Sequence, residues 1–471
     1  MSHHHSTRRG FLSQLGLGCA SVGATSLLSG ITNLGLINAA VAANRPIYGP
    51  VNTGYKAIVC LMLSGGNDSF NMLVPKGTSE YQEYANVRTN LALPQNSLRA
   101  INPTNNVGQE LGLHPNLENI QGLFEAGNAA FVANIGALVR PTSMAQFELG
   151  NNLPQGLYSH SDQRLHWQTA LPQNLSNLGW GGRLADILHT NNSNQNISMN
   201  ISLNGVNTFQ KGNIIREFAT DPEGNNVNIA ASSGDTFYNN LKRQTLDSLL
   251  EVSYQNIFEK AYAETVVGSK ANNLEFGAAL AQGTPFSTSF GVDELSKRLE
   301  SVARVIAAKG PLGVTNQTFF VQHDGYDTHD NIINEHGELM SDLDGAIYSF
   351  YQALEELGMQ DDVVLFTASD FGRKLTSNGD GSDHAWGGNS LIVGGSIQGQ
   401  RIYGDYPSLY LDNPQDLGRG RLIPTTSCDE LFAELALWMG ASTAALPDIL
   451  PNIENFWTPD PATRPLGILP I

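Results

Sequence analysis

Cysteine is scarce, three in 471 residues, which excludes a small fold stapled by disulfides. Charged residues make up only 15 % of the chain, and 26 Lys and Arg stand against 44 Asp and Glu, for a formal net charge of −18. A surface with that balance repels phosphate backbones and argues against nucleic acid as a partner. A small anionic substrate remains compatible, provided local positive charge, most simply a metal ion, offsets the field. Beyond the first forty residues no run of about twenty apolar residues occurs, so no membrane span is expected in the mature form. Glycine and proline are plentiful, at 48 and 21 positions, and hydrophobic residues reach 41 %. That is globular composition, long enough for one large α/β domain or two modest ones.

The first forty residues read as an address. Thr7-Arg8-Arg9-Gly10-Phe11-Leu12 opens a weakly apolar run to about Ala43 that holds no acidic residue and no Lys, and Ala40-Val41-Ala42 forms a small-x-small cleavage pattern. This predicts a twin-arginine signal over residues 1–42, recognised by the twin-arginine export machinery and cleaved after Ala42, with residues 43–471 released to the periplasm or beyond. The run is too rich in Gly and Ser for a membrane anchor. Cys60, inside an apolar strand, and Cys428, at a helix start, are expected to be buried free thiols.

Short apolar or β-branched runs at Lys56–Leu63, Ala129–Ile135, Ile197–Leu203, Thr318–Gln322, Val363–Ala368 and Ser390–Val393 predict strands covered on both faces, as in a parallel sheet. Helical periodicity lies between them, at Pro115–Ala126, Val292–Lys309, Asn331–Leu357 and Asp429–Met439. The alternation predicts an α/β fold, a mostly parallel sheet sandwiched by helices. Residues 204–290 break the rhythm. Their loops are rich in Asn, Ser and Gly around a helical face over Thr245–Ala263, which reads as a helical insertion or cap.

Polar residues gather where the strands end. Ser64-Gly65-Gly66-Asn67-Asp68-Ser69 follows the first strand, and His323 to His329 follows the Thr318 run. Ser369-Asp370-Phe371-Gly372-Arg373-Lys374 follows the Val363 run, with Asp383-His384 ten residues on. Ligands of open α/β sheets bind at the carboxyl ends of strands. One rim could thus hold Asp68, Asp327, His329, Asp370 and His384. Carboxylates mixed with imidazoles, without thiolates, suit one or two divalent ions (Zn, Mn, Fe or Mg) rather than a structural zinc knot. Each residue alone has an ordinary structural role open to it: Asp68 as a turn cap, Asp327 or Thr328 as a helix N-cap, Asp370 as an ion-pair partner of Arg373, His384 in an Asx turn. Their joint placement on one edge favours a metal or catalytic centre. Phosphate-loop, G-x-S-x-G and H-E-x-x-H templates are missing.

The segments LMLSGGNDSFNMLVP (61–75), LHPNLENIQGLFEAGNAAFVANIG (113–136), YSHSDQ (158–163), DGYDTHDN (324–331) and TASDFGRKLTSNGDGSDHAWGG (367–388) together resemble a bacterial family of exported proteins, the domain of unknown function 1501. That resemblance implies a fold similar to alkaline phosphatases and sulfatases. By it, Asp68, Asp327, His329, Asp370 and His384 correspond to metal ligands of that superfamily. Two features depart from its pattern. Phe371 stands where a second metal-binding His is common, and Asp327 and His329 are only one residue apart, so Asp324 could supply the acid instead. For a phosphoryl or sulfuryl hydrolase the expected nucleophile is Ser159, next to His160, with Ser161 in reserve and an N-cap role for Ser159 as the alternative. Arg373 or Lys374 could hold anionic oxygens.

Two functions from different classes follow. One is an exported metal-dependent hydrolase of phosphate or sulfate esters that uses a metal-activated Ser or water as nucleophile. The other is a non-catalytic, phosphatase-like exported protein with at most a structural metal, serving a binding or assembly partner. A phosphomutase or related transferase on the same scaffold is a third.

Overall fold

The computed structural model describes residues 54–220 and 236–470. The signal expected over residues 1–42 lies outside the described residues. In chain order the strands are β1 (Lys56–Leu63), β2 (Leu73–Pro75), β3 (Arg99–Ile101), β4 (Leu111–Leu113), β5 (Ala129–Gly136), β6 (Asn200–Ser202), β7 (Phe218–Ala219), β8 (Asn316–His323), β9 (Val363–Ser369), β10 (Gly388–Val393), β11 (Ile402–Tyr403) and β12 (Thr426–Ser427). Nine of them form one sheet in the order β11-β5-β10-β9-β1-β8-β6-β7, with β12 also paired to β5, and β2-β4-β3 form a small antiparallel sheet.

β1 sits at the centre, paired in parallel with β8 on one side and β9 on the other. Its KAIVCLML sequence is buried from Ala57 to Leu63. Such a run, apolar on both faces, belongs in a strand covered on both sides. Successive side chains point to opposite faces. Ile58, Cys60 and Met62 join Trp180, Leu184 and Phe432 from the helices Trp180–Leu188 and Cys428–Trp438 in one core. The helices Glu294–Ala307 and Ile332–Glu356 pack on each other, the first of them also on β8. The fold is therefore a mixed, mostly parallel sheet with flanking helices. Cys60 and Cys428 are buried free thiols.

β10 is the strand that makes the sheet mostly rather than wholly parallel. It runs antiparallel to both β9 and β5, because residues 370–387 return the chain to the edge at which β9 ended instead of crossing the sheet. Its amino end thus lies on the rim where β1, β8 and β9 have their carboxyl ends. His384 reaches that rim just before β10 rather than just after a strand.

The chain divides into two compact units. The smaller comprises residues 195–197 and, among the described residues, 236–278; the larger holds the sheet. The single helix expected over Thr245–Ala263 is two helices, Phe237–Leu250 and Ile257–Leu280. Asn256 starts the second, accepting the Phe258 N–H on its side-chain oxygen at 2.9 Å, the local hydrogen bond that makes Asn favour helix starts over helix interiors. Among the described residues no helix is long and apolar enough to cross a membrane.

Candidate metal centre

The centre is assembled from loops at the polar rim. Gly65, with φ of +121°, lets the turn after β1 pass against the β8 loop: a Cβ there would lie 2.4 Å from the Asp327 amide nitrogen. Glycine is required on both counts. Arg373 ties the two loops together from beneath. It is fully buried, and its guanidinium donates to the carbonyls of Gly66 (2.9 Å), Ser382 (2.6 Å), Gly65 (2.6 Å) and Tyr326 (3.0 Å) and to Asp327 Oδ1 (2.6 Å). With its donors engaged in this way, Arg373 is a structural knot. The anion-holding role expected for it does not fit, because no face of the guanidinium is open.

His160 is the first residue of the helix His160–Thr169. Its Nδ1 lies 2.8 Å from Asp370 Oδ2, and a carboxylate partner makes Nδ1 the protonated nitrogen. His384 is fixed similarly, its Nδ1–H donating to the Tyr158 carbonyl at 2.8 Å. Both imidazoles therefore present bare Nε2 lone pairs, and these face each other at 3.1 Å. His329 brings its own Nε2 to 2.9 Å from that of His384. The Asp327 carboxylate completes the group, 3.1 Å from His329 Nε2, 3.4 Å from His384 Nε2 and 3.4 Å from His160 Nε2. Phe371, buried, packs on the rings of His160 and His384 with centroids 4.8 and 4.5 Å away. The residue that departs from the family pattern thus supports the imidazoles from behind.

Electrostatics keep Asp327 and His384 in a ligating form. Burial works to raise the Asp327 carboxyl, but the hydrogen bond and charge of Arg373, with His160 and His329, outweigh it and hold it below the usual carboxylate range. Burial lowers His384, against the Tyr158 carbonyl bond and together with the charge of Arg373. Neutral imidazoles and an ionised carboxylate are what a divalent ion needs.

Two lone pairs pointing at each other across 3.1 Å repel unless a cation lies between them. A metal with ligands at about 2.0–2.1 Å sets neighbouring donors about 2.9 Å apart in octahedral and about 3.3 Å apart in tetrahedral geometry. The separations among His160, Asp327 and His384, 3.1 to 3.4 Å, lie within or close to that range. The residues His160, Asp327 and His384 fit a divalent ion, with His329 Nε2 beside them, 2.9 Å from that of His384.

The other expected residues are placed differently. Asp370 is fully buried and lies behind His160, where Oδ2 also accepts the Gly65 N–H at 3.2 Å and Arg164 approaches both oxygens at 3.4 Å. It orients a ligand instead of being gathered with the donors. Asp68 is turned into the protein, where its Oδ2 pairs with Arg88, both side chains fully buried. Asp324 accepts from Gln322 Nε2 at 2.6 Å, and Lys374, almost fully buried, pairs with Asp383 at 2.8 Å. Ser159 occupies the N-cap position of its helix but makes no side-chain cap bond; its hydroxyl meets that of Ser161 at 3.1 Å.

Two contributors were not singled out from sequence. In the sequence His160 stands out only as the neighbour of Ser159, and its one local signal is its place at a helix start. Arg164, one turn further on and about one-third exposed, had no signal at all, since its partner Asp370 is 206 residues away.

A family model described as "Protein of unknown function (DUF1501)" matches residues 55–446. No curated protein matches the chain. Among solved structures, the chain is similar to Ps i-CgsB in complex with k-i-k-neocarrahexaose, at 12 % identity and a TM-score of 0.34, covering 85 % of this chain and 77 % of that one. It is also similar to the C-terminal periplasmic domain of EcEptC from Escherichia coli in complex with Zn, at 10 % identity and a TM-score of 0.33, covering 83 % and 86 %. A mutant of the alkaline phosphatase PafA matches at 14 % identity and a TM-score of 0.24, covering 69 % and 64 %. Likeness at these scores assigns no chemistry, which has to come from the residues of this chain.

Proposed function

The chain belongs to the DUF1501 family, whose description states no activity, and from the site itself we propose an exported, metal-dependent hydrolase of small phosphate or sulfate esters. The observation that carries the reading is the convergence of the His160 and His384 Nε2 atoms and the Asp327 carboxylate, with the bare lone pairs of His160 and His384 3.1 Å apart and His329 beside them. Of the ions expected, the imidazole-rich set favours Zn or Fe over Mn or Mg. When bound, such an ion supplies Lewis acidity and the local positive charge that an anionic ester needs near a chain of net charge −18.

The chain's own residues hold and tune that centre. Asp370 and the Tyr158 carbonyl fix the tautomers of His160 and His384, and partners of this kind set ring orientation and basicity. Arg373 keeps Asp327 ionised and aimed. Arg164 takes over the anion-holding role first expected of Arg373, because it is partly exposed and only loosely engaged by Asp370 at 3.4 Å. Ser159 is the nucleophile candidate on this reading, water the other. Its hydroxyl sits one residue before His160 and is not occupied as a helix cap.

Exposure favours catalysis over a purely structural ion. The side chains of Asp327 and His329 are 49 % and 43 % exposed, and structural metal sites are closed where catalytic ones keep an open position. The export part of the reading rests on Arg8, Arg9 and the run to Ala42, which makes residues 43–471 the mature phosphatase-like protein.

The test is metal analysis of the natively exported protein, purified without chelator or nickel resin. Stoichiometric metal that is lost in His384→Ala and Asp327→Ala supports the reading and justifies a screen with nitrophenyl phosphate and sulfate. Absence of metal from the native protein rejects it. Metal without turnover of any ester in the screen leaves the non-catalytic binding role as the better account.

A further inference from the structure

Beyond the proposed centre, a second buried charge cluster lies at the end of β1. Arg88, the last residue of the helix Thr78–Arg88, is fully buried. One terminal nitrogen pairs with Asp68 Oδ2, and the other donates to the carbonyls of Lys374 at 3.1 Å and Leu375 at 3.3 Å. Tyr84, one turn earlier, holds the helix in place: its hydroxyl donates to Asn71 Oδ1 at 2.7 Å and accepts the Leu93 N–H at 2.9 Å. Asn67, beside Asp68, is held by His336 Nε2 at 2.9 Å, and His336 packs edge-on against His114 at 5.6 Å between centroids.

We propose that the Arg88 guanidinium is the resident cation of this cluster, so that the rim takes one divalent ion and not two. The inference rests on the proposed metal reading and makes it specific. Asp68 is a single negative charge in a buried setting whose other side chains are amides, a phenol and imidazoles. One guanidinium neutralises it, whereas a divalent ion would leave a net positive charge without compensation in a site closed to water. Guanidinium is also the weakly hydrated cation suited to burial. The other residues expected to serve a second ion are engaged elsewhere. Asp370 faces His160, Gly65 and Arg164, and Phe371 offers no donor. Among the described residues the group found able to hold a metal is that of His160, Asp327 and His384.

Asp68 is then a structural residue. Through Arg88 it secures the carbonyls of Lys374 and Leu375, in the segment that carries Arg373, and Arg373 in turn aims Asp327.

The experiment is metal stoichiometry by mass spectrometry on the natively exported, chelator-free protein, for wild type, Asp68→Asn, Arg88→Lys and His384→Ala, with zinc affinity from competition against a chelating dye. We expect one equivalent in wild type, one in Asp68→Asn with affinity within about threefold of wild type, one in Arg88→Lys, and none in His384→Ala. Two equivalents in wild type, the second missing from Asp68→Asn, would overturn the inference while leaving the metal reading intact. No metal in wild type would instead remove the metal reading, and this inference with it. If Asp68→Asn fails to fold, wild type and Arg88→Lys still decide between one equivalent and two.

Discussion

Replacing Arg88 by Met should lower stability sharply, and much of the loss should disappear when Asp68 is neutralised at the same time. Both side chains are fully buried, and removing one partner of such a pair leaves an uncompensated charge that costs about 3–5 kcal/mol. The carbonyls of Lys374 and Leu375 lose their donors as well, which places Arg88→Met toward the upper end, about 4–5 kcal/mol. A melting entropy of about 2.1 cal/mol/K per residue amounts to about 1 kcal/mol/K for a chain of this length, so the midpoint should fall by about 4–5 °C. Asp68→Asn, which strands the guanidinium, should cost about 3 kcal/mol. In the double variant neither charge is left alone, and the combined loss should fall short of the sum by about 2 kcal/mol or more. Calorimetry of the four proteins at one pH measures the cycle. Strict additivity, or a loss below about 1 kcal/mol for Arg88→Met, would refute the argument that this pair is the internal charge balance of the cluster.

Asp370→Asn should weaken metal binding about 10- to 100-fold with little change in fold, because it withdraws the carboxylate that orients His160; unchanged affinity in dye competition would show that His160 needs no such partner. Arg164→Ala should reduce the affinity of the metal-loaded protein for inorganic phosphate about tenfold or more, with Arg164→Lys recovering part of it, and equal binding by all three proteins would remove Arg164 from the anion site. Acid should destabilise the fold before it titrates most carboxylates. Burial pushes His114 and His336 down to about 3, the latter helped by the charges of Arg88 and Arg373, and His166 down to about 4. The folded state therefore binds fewer protons than the unfolded one, and this stability, complete above about pH 6.5, is lost as pH falls toward 3–4. Burial pushes Asp429 the other way, up to about 7, so its contribution is complete below about pH 4 and lost as pH rises through 7. Between pH 7.5 and 5.5 these three histidines and His323, which burial also pushes down to about 4, should cost about 5 kcal/mol and Asp429 return about 2. Denaturant melts should show that net loss and a steeper one in Asp429→Asn; flat stability over this interval would contradict the burial of these rings.

What the sequence revealed, and what it hid, divides by the range of the interactions involved. β1, β5, β8 and β9 were legible because burial on both faces demands a continuous apolar run, and such runs are local. The reversal of β10 was not, since direction depends on whether residues 370–387 cross the sheet, which no periodicity records. The same division runs through the site. Asp327, His329 and His384 could be read from polar residues placed at strand ends, a positional rule that needs no knowledge of partners. The roles of Asp68, Arg373 and Asp370 could not, because whether a carboxylate ligates, pairs or orients depends on what faces it. Arg88 stands 20 residues from Asp68, and His160 stands 210 from Asp370. Arg373 illustrates the limit most clearly. An arginine beside polar rim residues suggests anion binding until the carbonyls of Gly65, Gly66, Tyr326 and Ser382 are seen to occupy it. It then becomes the reason Asp327 is ionised and in place. A chain with few cations uses two of them, Arg88 and Arg373, wholly inside the rim. On the proposed reading an anionic ester would meet Arg164 and the metal ion, with Arg419, 55 % exposed and 3.5 Å from Asp383, the next cation at the rim. On that reading the affinity for an anionic ester should rise and fall with metal occupancy, because the ion supplies the charge that the buried arginines do not.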